Sequence, residues 1–120
     1  MDLKSFVTEV YQSIDRADAT KFASFLTPNG SFRFANHPAV IGNREVEAFV
    51  DGFFKSLKAI RHSNLEYWET GSVIFVNGTV TYTRHNDTTL ALPFSCTWKM
   101  NAQLIDEYLI YIDSSELYTS

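Results

Sequence analysis

LTPNGSFRFANHPAVIGNREVEAFVDGFFKSLKAI, residues 26–60, is the stretch whose reading decides the fold. Thr27-Pro28-Asn29-Gly30 carries turn chemistry, and Ser31-Phe32-Arg33-Phe34 then alternates as a short strand does. Ala35 to Val40 contains His37-Pro38 and reads as a loop. Gly42-Asn43 opens a helix, and Val46, Phe49, Val50, Phe53, Phe54, Leu57 and Ile60 then recur with helical spacing. An aromatic stripe of this kind predicts a core face rather than a cofactor site.

Upstream, Leu3, Phe6, Val7, Val10, Tyr11 and Ile14 form one apolar stripe, which predicts an amphipathic first helix. Asp15 to Asp18 breaks it, and Asp18 can cap a second short helix carrying Phe22, Phe25 and Leu26. Downstream of His62 the apolar period switches to two. Strands are expected over Asn64–Thr70, Ser72–His85, Thr88–Met100 and Leu104–Asp113. Asn77-Gly78 is a strong hairpin signal, but a single long strand with a bulge at Gly78 suits a curved sheet better. Ser114 to Ser120 reads as a polar, fraying tail. The order α-α-β-α followed by an antiparallel meander predicts an α+β fold, with helices packed on one face of a strongly curved sheet. The conical pocket such a sheet leaves is the expected functional site.

A chain of 120 residues is expected to form one domain, residues 1–120, with a core that needs no metal or disulfide support. The aromatic share of 15%, with ten phenylalanines, fits a ring-lined interior. A formal charge of −4 argues against nucleic acid or an anionic membrane as partner. The single cysteine, Cys96, rules out an intrachain disulfide and sits in an alternating strand as a structural thiol. No motif or His–carboxylate spacing suggests a metal site, no cofactor is implied, and no apolar run suits a membrane span or leader. A cytoplasmic protein is expected.

Strand alternation groups Leu90, Leu92, Phe94, Cys96 and Trp98 on one face, and Val80, Tyr82 and Arg84 on another. Tyr67 and Trp68 point to opposite faces, one toward the pocket and one toward a second subunit. His62 and His85 read as exposed strand-end residues, whereas His37, just before Pro38, either flanks the pocket entrance or packs the loop. Because the last two strands stay largely apolar on both sides, the outer sheet face predicts a homodimer.

Five segments together resemble the SnoaL-like branch of the nuclear transport factor 2-like superfamily. They are SID with Asp18 following (13–18), LTPNGSF (26–32), PAVIG (38–42), VTYTR (80–84) and YLIYID (108–113). The resemblance implies a cystatin-like α+β barrel: a cone-shaped curved antiparallel sheet packed against three N-terminal helices. It implies a small hydrophobic ligand and commonly a dimer through the outer sheet face. The superfamily holds ketosteroid isomerase, scytalone dehydratase, limonene epoxide hydrolase and polyketide cyclases beside non-enzymatic binding modules, so activity must be argued from the site.

Carried over by position, Tyr11 resembles the first-helix tyrosine of the isomerases. Ala35-Asn36 stands where their catalytic aspartate would be, and Cys96 where their second oxyanion donor would be. Arg84 and Asp113 match two of the three charged groups of the epoxide hydrolases, with Tyr82 in place of the third. The family register would turn Tyr82, Arg84, Phe94, Cys96, Trp98, Glu107, Tyr111 and Asp113 into the cone. The candidate catalytic residues are therefore Asp113, Arg84 and Tyr11. Asp113 would act as base or water-orienter and Arg84 as anion stabiliser, the structural alternative being a pair of Arg84 with Asp113 or Glu107 that closes the rim. The candidate ligand contacts are Tyr82, Trp68, Phe34, His37, Phe94, Trp98, Tyr111 and Glu107. Two functions follow: a cofactor-free isomerase, cyclase, dehydratase or hydrolase acting on a hydrophobic ring, or a non-enzymatic binding or dimerisation module.

Overall fold

The computed structural model describes residues 1–118. Helix α1 (Leu3–Asp15) begins where the Asp2 carboxylate accepts from the Ser5 amide at 3.2 Å, and it buries Phe6, Val7, Val10 and Tyr11. The Asp18 carboxylate accepts from the Lys21 amide at 3.0 Å to start α2 (Ala19–Ala23). Strands β1 (Leu26–Phe34) and β2 (Val40–Ile41) follow, then α3 (Asn43–Lys55). The chain continues as β3 (Ala59–Thr70), β4 (Val73–Thr83), β5 (Thr89–Asn101) and β6 (Leu104–Tyr111). One six-stranded sheet results, in the order β2-β1-β6-β5-β4-β3. It curls around α1 and α3, and between them the helices and the concave face bury one continuous apolar core.

Several boundaries differ from the sequence expectation, each for a local reason. Thr27–Gly30 is strand, not turn. Pro28, which has no amide to donate, falls where the ladder to β6 shifts register between Leu26 and Ser31. The α3 stripe outlives its helix. Helix α3 stops at Lys55, while Leu57 and Ile60 stay buried from the connection and from β3.

Strand β4 is uninterrupted, as expected, but the bulge lies on its neighbour. Between Ser63 and Glu66 the β3–β4 register shifts, and Asn64 takes φ +55°. Gly78 is needed for a different reason. A Cβ there would meet Leu65 Cδ2 at 2.9 Å and the Phe94 ring at 3.0 Å, so these side chains fold over a bare backbone.

The last strand is turned over relative to the family register. Trp98 pairs with Tyr108 and Cys96 with Ile110, which brings Tyr108, Ile110 and Ile112 to the concave side. Glu107, Tyr111 and Asp113 face away from the cone. Burying two carboxylates in an apolar cone without partners would cost far more than turning out isoleucines. The tail differs as well: Ser114–Tyr118 is docked rather than frayed, and Leu117 is only 1% exposed.

Candidate functional site

The cone encloses a narrow apolar cavity of about 40 Å³. Helix α1 contributes Tyr11 to its wall and α3 contributes Phe49 and Phe53. The sheet supplies Phe34, His62, Tyr82, Phe94, Cys96 and Tyr108. The cavity is thus built from side chains that their elements bury for stability, with a few polar atoms left facing inward.

The most chemically capable of these is His62. Its Nδ1 lies 2.6 Å from Asp15 Oδ1, and its backbone amide donates to Asp15 Oδ2 at 3.1 Å. The carboxylate at the end of α1 therefore grips both the ring and the main chain of β3. The His62 side chain is 8% exposed, its ring centroid 4.6 Å from that of Tyr11 and 5.3 Å from that of Phe94. With Nδ1–H donating to a carboxylate, Nε2 carries the lone pair and is the nitrogen left for a ligand.

Part of the cavity wall is a cluster of weak acids backed by Trp98. Tyr11 stacks on Trp98 at 5.7 Å, and Trp98 lies 5.4 Å from Tyr108. Burial raises the Tyr11 and Tyr108 phenols well above their ordinary value, with the neighbouring Cys96 adding to both shifts. Burial likewise pushes the Cys96 thiol up to about 12, opposed by its contacts with Tyr11 and Tyr108. These groups are neutral donors at physiological pH, and Cys96 has no thiolate character to make it a nucleophile. The Tyr11 hydroxyl and Trp98 Nε1 are buried and make no hydrogen bond of good geometry among the described residues, although Tyr11 lies against Cys96 and Tyr108, and Trp98 against Tyr108. Leaving a buried donor unpaired costs about 1–3 kcal/mol, which an accepting oxygen would recover.

Of the sequence candidates, Tyr11, Tyr82, Phe34 and Phe94 meet around the cavity. Trp98 is fully buried below it. His37 is exposed near the mouth, its ring 6.1 Å from that of Phe34. Three expected contacts lie elsewhere: Trp68 is 49% exposed, Tyr111 is 58% exposed, and Glu107 reaches Lys99 at 3.6 Å. The Arg84–Asp113 pair does not form. Asp113 is exposed, accepts from the Ser115 amide at 3.1 Å, and is held below its usual value first by the Ser115 side chain and then by that amide. Arg84 binds the main chain of the tail instead.

His62 and Asp15 were missed. Starting the third strand at residue 64 hid the alternation Ile60, His62, which sets His62 on the buried face opposite Val80. Among the described residues no group of three or more His, Cys, Asp or Glu stands together as a metal site would. No helix among them is long and apolar enough to cross a membrane.

This cone of sheet and helices belongs to a recognisable class. The sequence profile of the SnoaL-like domain matches residues 7–108, so the chain belongs to the SnoaL-like family. A candidate polyketide cyclase from Xanthomonas campestris pv. campestris superposes with a TM-score of 0.86 at 17% identity, covering 95% of this chain and 92% of that one. An NTF2-like protein of unknown function from Burkholderia pseudomallei K96243 gives 0.84 at 22% identity, covering 95% and 92%. TerC, co-crystallised with polyporic acid, gives 0.81 at 18% identity, covering 96% and 94%. At these identities the likeness establishes the nuclear transport factor 2-like fold and nothing finer. No curated protein matches the chain.

Proposed function

We propose that the cavity binds a small hydrophobic ring compound bearing a carbonyl or hydroxyl oxygen, and that His62 performs cofactor-free acid–base chemistry on it. The observation that carries this reading is the His62–Asp15 contact of 2.6 Å at the wall of an otherwise apolar cavity. Asp15 fixes the tautomer and orientation of the ring, so Nε2 can take a proton from the substrate and return it at another position. The Tyr11 hydroxyl donates to the substrate oxygen on which charge develops. Isomerisation, dehydration and ring closure all reduce to such a proton relay, in keeping with the polyketide-cyclase naming of a structural neighbour. Asp113, outside the cavity, has no part in it.

A second reading is favoured by the size of the cavity. About 40 Å³ is far below the few hundred Å³ of an ordinary small-molecule site. As it stands the cone suits a non-enzymatic module, in which His62–Asp15 ties α1 to the sheet. Thermal unfolding against ring ketones, lactones and quinones separates the two. A ligand at 100 times its Kd stabilises by about 2.7 kcal/mol, and compounds that do so are then assayed for turnover. On the catalytic reading, His62→Gln keeps the thermal shift but slows turnover by about 10²–10⁴. A compound that binds equally well to both proteins and is never converted defeats the catalytic reading.

We also propose a second copy of this chain as cover for the outer sheet face. Trp68, Phe75, Thr97 and Leu109 form one row across four strands there, with Trp68 49% and Phe75 39% exposed. Sedimentation equilibrium is expected to give a dimer that Trp68→Glu converts to monomer. A monomeric parent protein would refute it.

A further inference from the structure

The tail that the sequence presents as polar and frayed is fastened across the rim of the cone. Its turn begins at Asp113, whose carboxylate accepts from the Ser115 amide, and it closes where the Leu117 amide donates to the Ser114 carbonyl at 3.0 Å. Leu117 is 1% exposed and belongs to the same apolar core as the cavity wall. Arg84, two residues beyond the cavity-lining Tyr82, donates from Nε to the Leu117 carbonyl and from Nη2 to the Glu116 carbonyl, both at 2.8 Å. Its third arm reaches Thr88 Oγ1 at 3.1 Å. Beside this latch the Tyr118 hydroxyl meets Ser56 Oγ at 2.8 Å, just past the end of α3 and next to Lys55, whose carbonyl lies 2.9 Å from His85 Nε2. Tyr118 also stands near enough to Tyr82 to add to the upward shift that burial imposes on that phenol.

The hollow under this segment is lined by Phe34, Phe49 and Phe53, which also wall the cavity, and by Ser114, Leu117 and Tyr118. We propose that residues 114–118 are a strap over the mouth of the cavity, that Arg84 is its latch, and that a ligand enters when the strap lifts. Three features support this. The fastening is polar and peripheral, whereas only Leu117 inserts into the core. The latch grips main-chain carbonyls, so it can release and re-form without repacking other side chains. The cavity beneath is too small for a ring compound while the strap and the rim phenylalanines are in place. The proposal rests on reading the cavity as a ligand site, but its test needs no ligand.

Cys96 is the reporter. It is the single thiol of the chain, 1% exposed, and it lines the cavity. Opening the mouth admits both reagent and water, which relieves the burial that keeps the thiol protonated. The full chain is treated with methyl methanethiosulfonate at about pH 8, with and without low urea, and labelling is followed by mass.

Arg84→Met, which keeps the apolar stem and loses the latch, is expected to raise the Cys96 labelling rate at least about tenfold. The rate should depend only weakly on urea, as local opening does. Tyr118→Phe should raise it about fivefold by removing one hydrogen bond. Thr27→Val, which removes a 2.9 Å contact to Asp106 away from the strap, should show no urea-independent rise. Unchanged labelling in both strap variants overturns the proposal, as does a rise that tracks urea as steeply as global unfolding. If Arg84→Met does not fold, Tyr118→Phe decides by the same criteria. A strap that opens in a protein that never turns over a ring compound would separate this proposal from the catalytic one.

Discussion

Raising the pH from about 8 to about 11 is expected to unfold this protein cooperatively, with its resistance to urea collapsing over that range. Burial is the first cause that lifts Tyr11, Tyr82 and Tyr108 above the ordinary 10.0 of a phenol, and it carries Cys96 from 9.0 to about 12. At alkaline pH the unfolded chain has released these protons while the folded chain still holds them. Folding then binds protons, so stability is complete below the unfolded values and is lost as pH rises toward the folded ones. The loss begins near 9.0 with Cys96 and steepens above 10.0 as the three phenols join it. Each group contributes a slope on the order of 1 kcal/mol per pH unit. Together they remove several kcal/mol by about pH 11, comparable with the roughly 5–15 kcal/mol that holds a domain folded. Urea titrations followed by circular dichroism at stepped pH measure the slope. Cys96→Ala combined with Tyr108→Phe should reduce it by about half. A stability that stays level across this window would show that these side chains are not buried as described.

Trp98→Ala is expected to destabilise the domain by about 3–5 kcal/mol. Trp98 is 0% exposed and lies 5.7 Å from Phe6, 5.7 Å from Tyr11 and 5.4 Å from Tyr108, ring centre to ring centre. It fixes α1 to β5 and β6 at once, so neither side can close on the void without moving a helix. Chemical denaturation gives the number directly, and a loss below about 1 kcal/mol would mean that the core around Trp98 collapses freely. Trp68→Ala is the internal contrast: on the outer face, it should cost the monomer little.

The helices were legible because helical apolar spacing and capping aspartates are local facts. Leu3 to Ile14 and Val46 to Phe54 announce their buried faces, and Asp18 announces its helix. The inward faces of β4 and β5 were legible too, since Val80 and Tyr82, and Phe94, Cys96 and Trp98, alternate cleanly. The last strand is ambiguous because Leu109 and Tyr111 make its second face partly apolar, while the family register takes no account of the cost of burying Glu107 and Asp113. Tyr108, Ile110 and Ile112 carry the more apolar set, and desolvation alone selects that set for the interior.

The candidate site was less legible because it is assembled across long distances in sequence. Tyr11 was visible from its helix and from the family resemblance. Asp15 looked like a helix stop and His62 like a strand end, and nothing nearby in sequence pairs them. They meet because α1 lies in the trough of a sheet whose strand β3 already begins at Ala59, which puts His62 on the concave face. A cation buried at the rim calls for a carboxylate partner, and Asp113 and Glu107 are the ones the sequence offers Arg84. The partner it takes is backbone, and main-chain carbonyls leave no mark in composition.

The parallel pairing of β1 with β6 has a consequence for how the molecule comes into being. In the finished sheet β6 sits between β1 and β5, so the N-terminal strand has no neighbour but the two-residue β2 until the last strand is made. During synthesis, β3, β4 and β5 can zip up as they emerge. The first third of the chain must wait, holding its phenylalanines in provisional company, until residues 105–110 leave the ribosome. Assembly of this kind depends on the most distant contacts in the sequence, which makes folding slow relative to size and leaves an aromatic-rich intermediate exposed to self-association. A ribosome stalled before β6 would release a chain with most of its strands and no closed sheet.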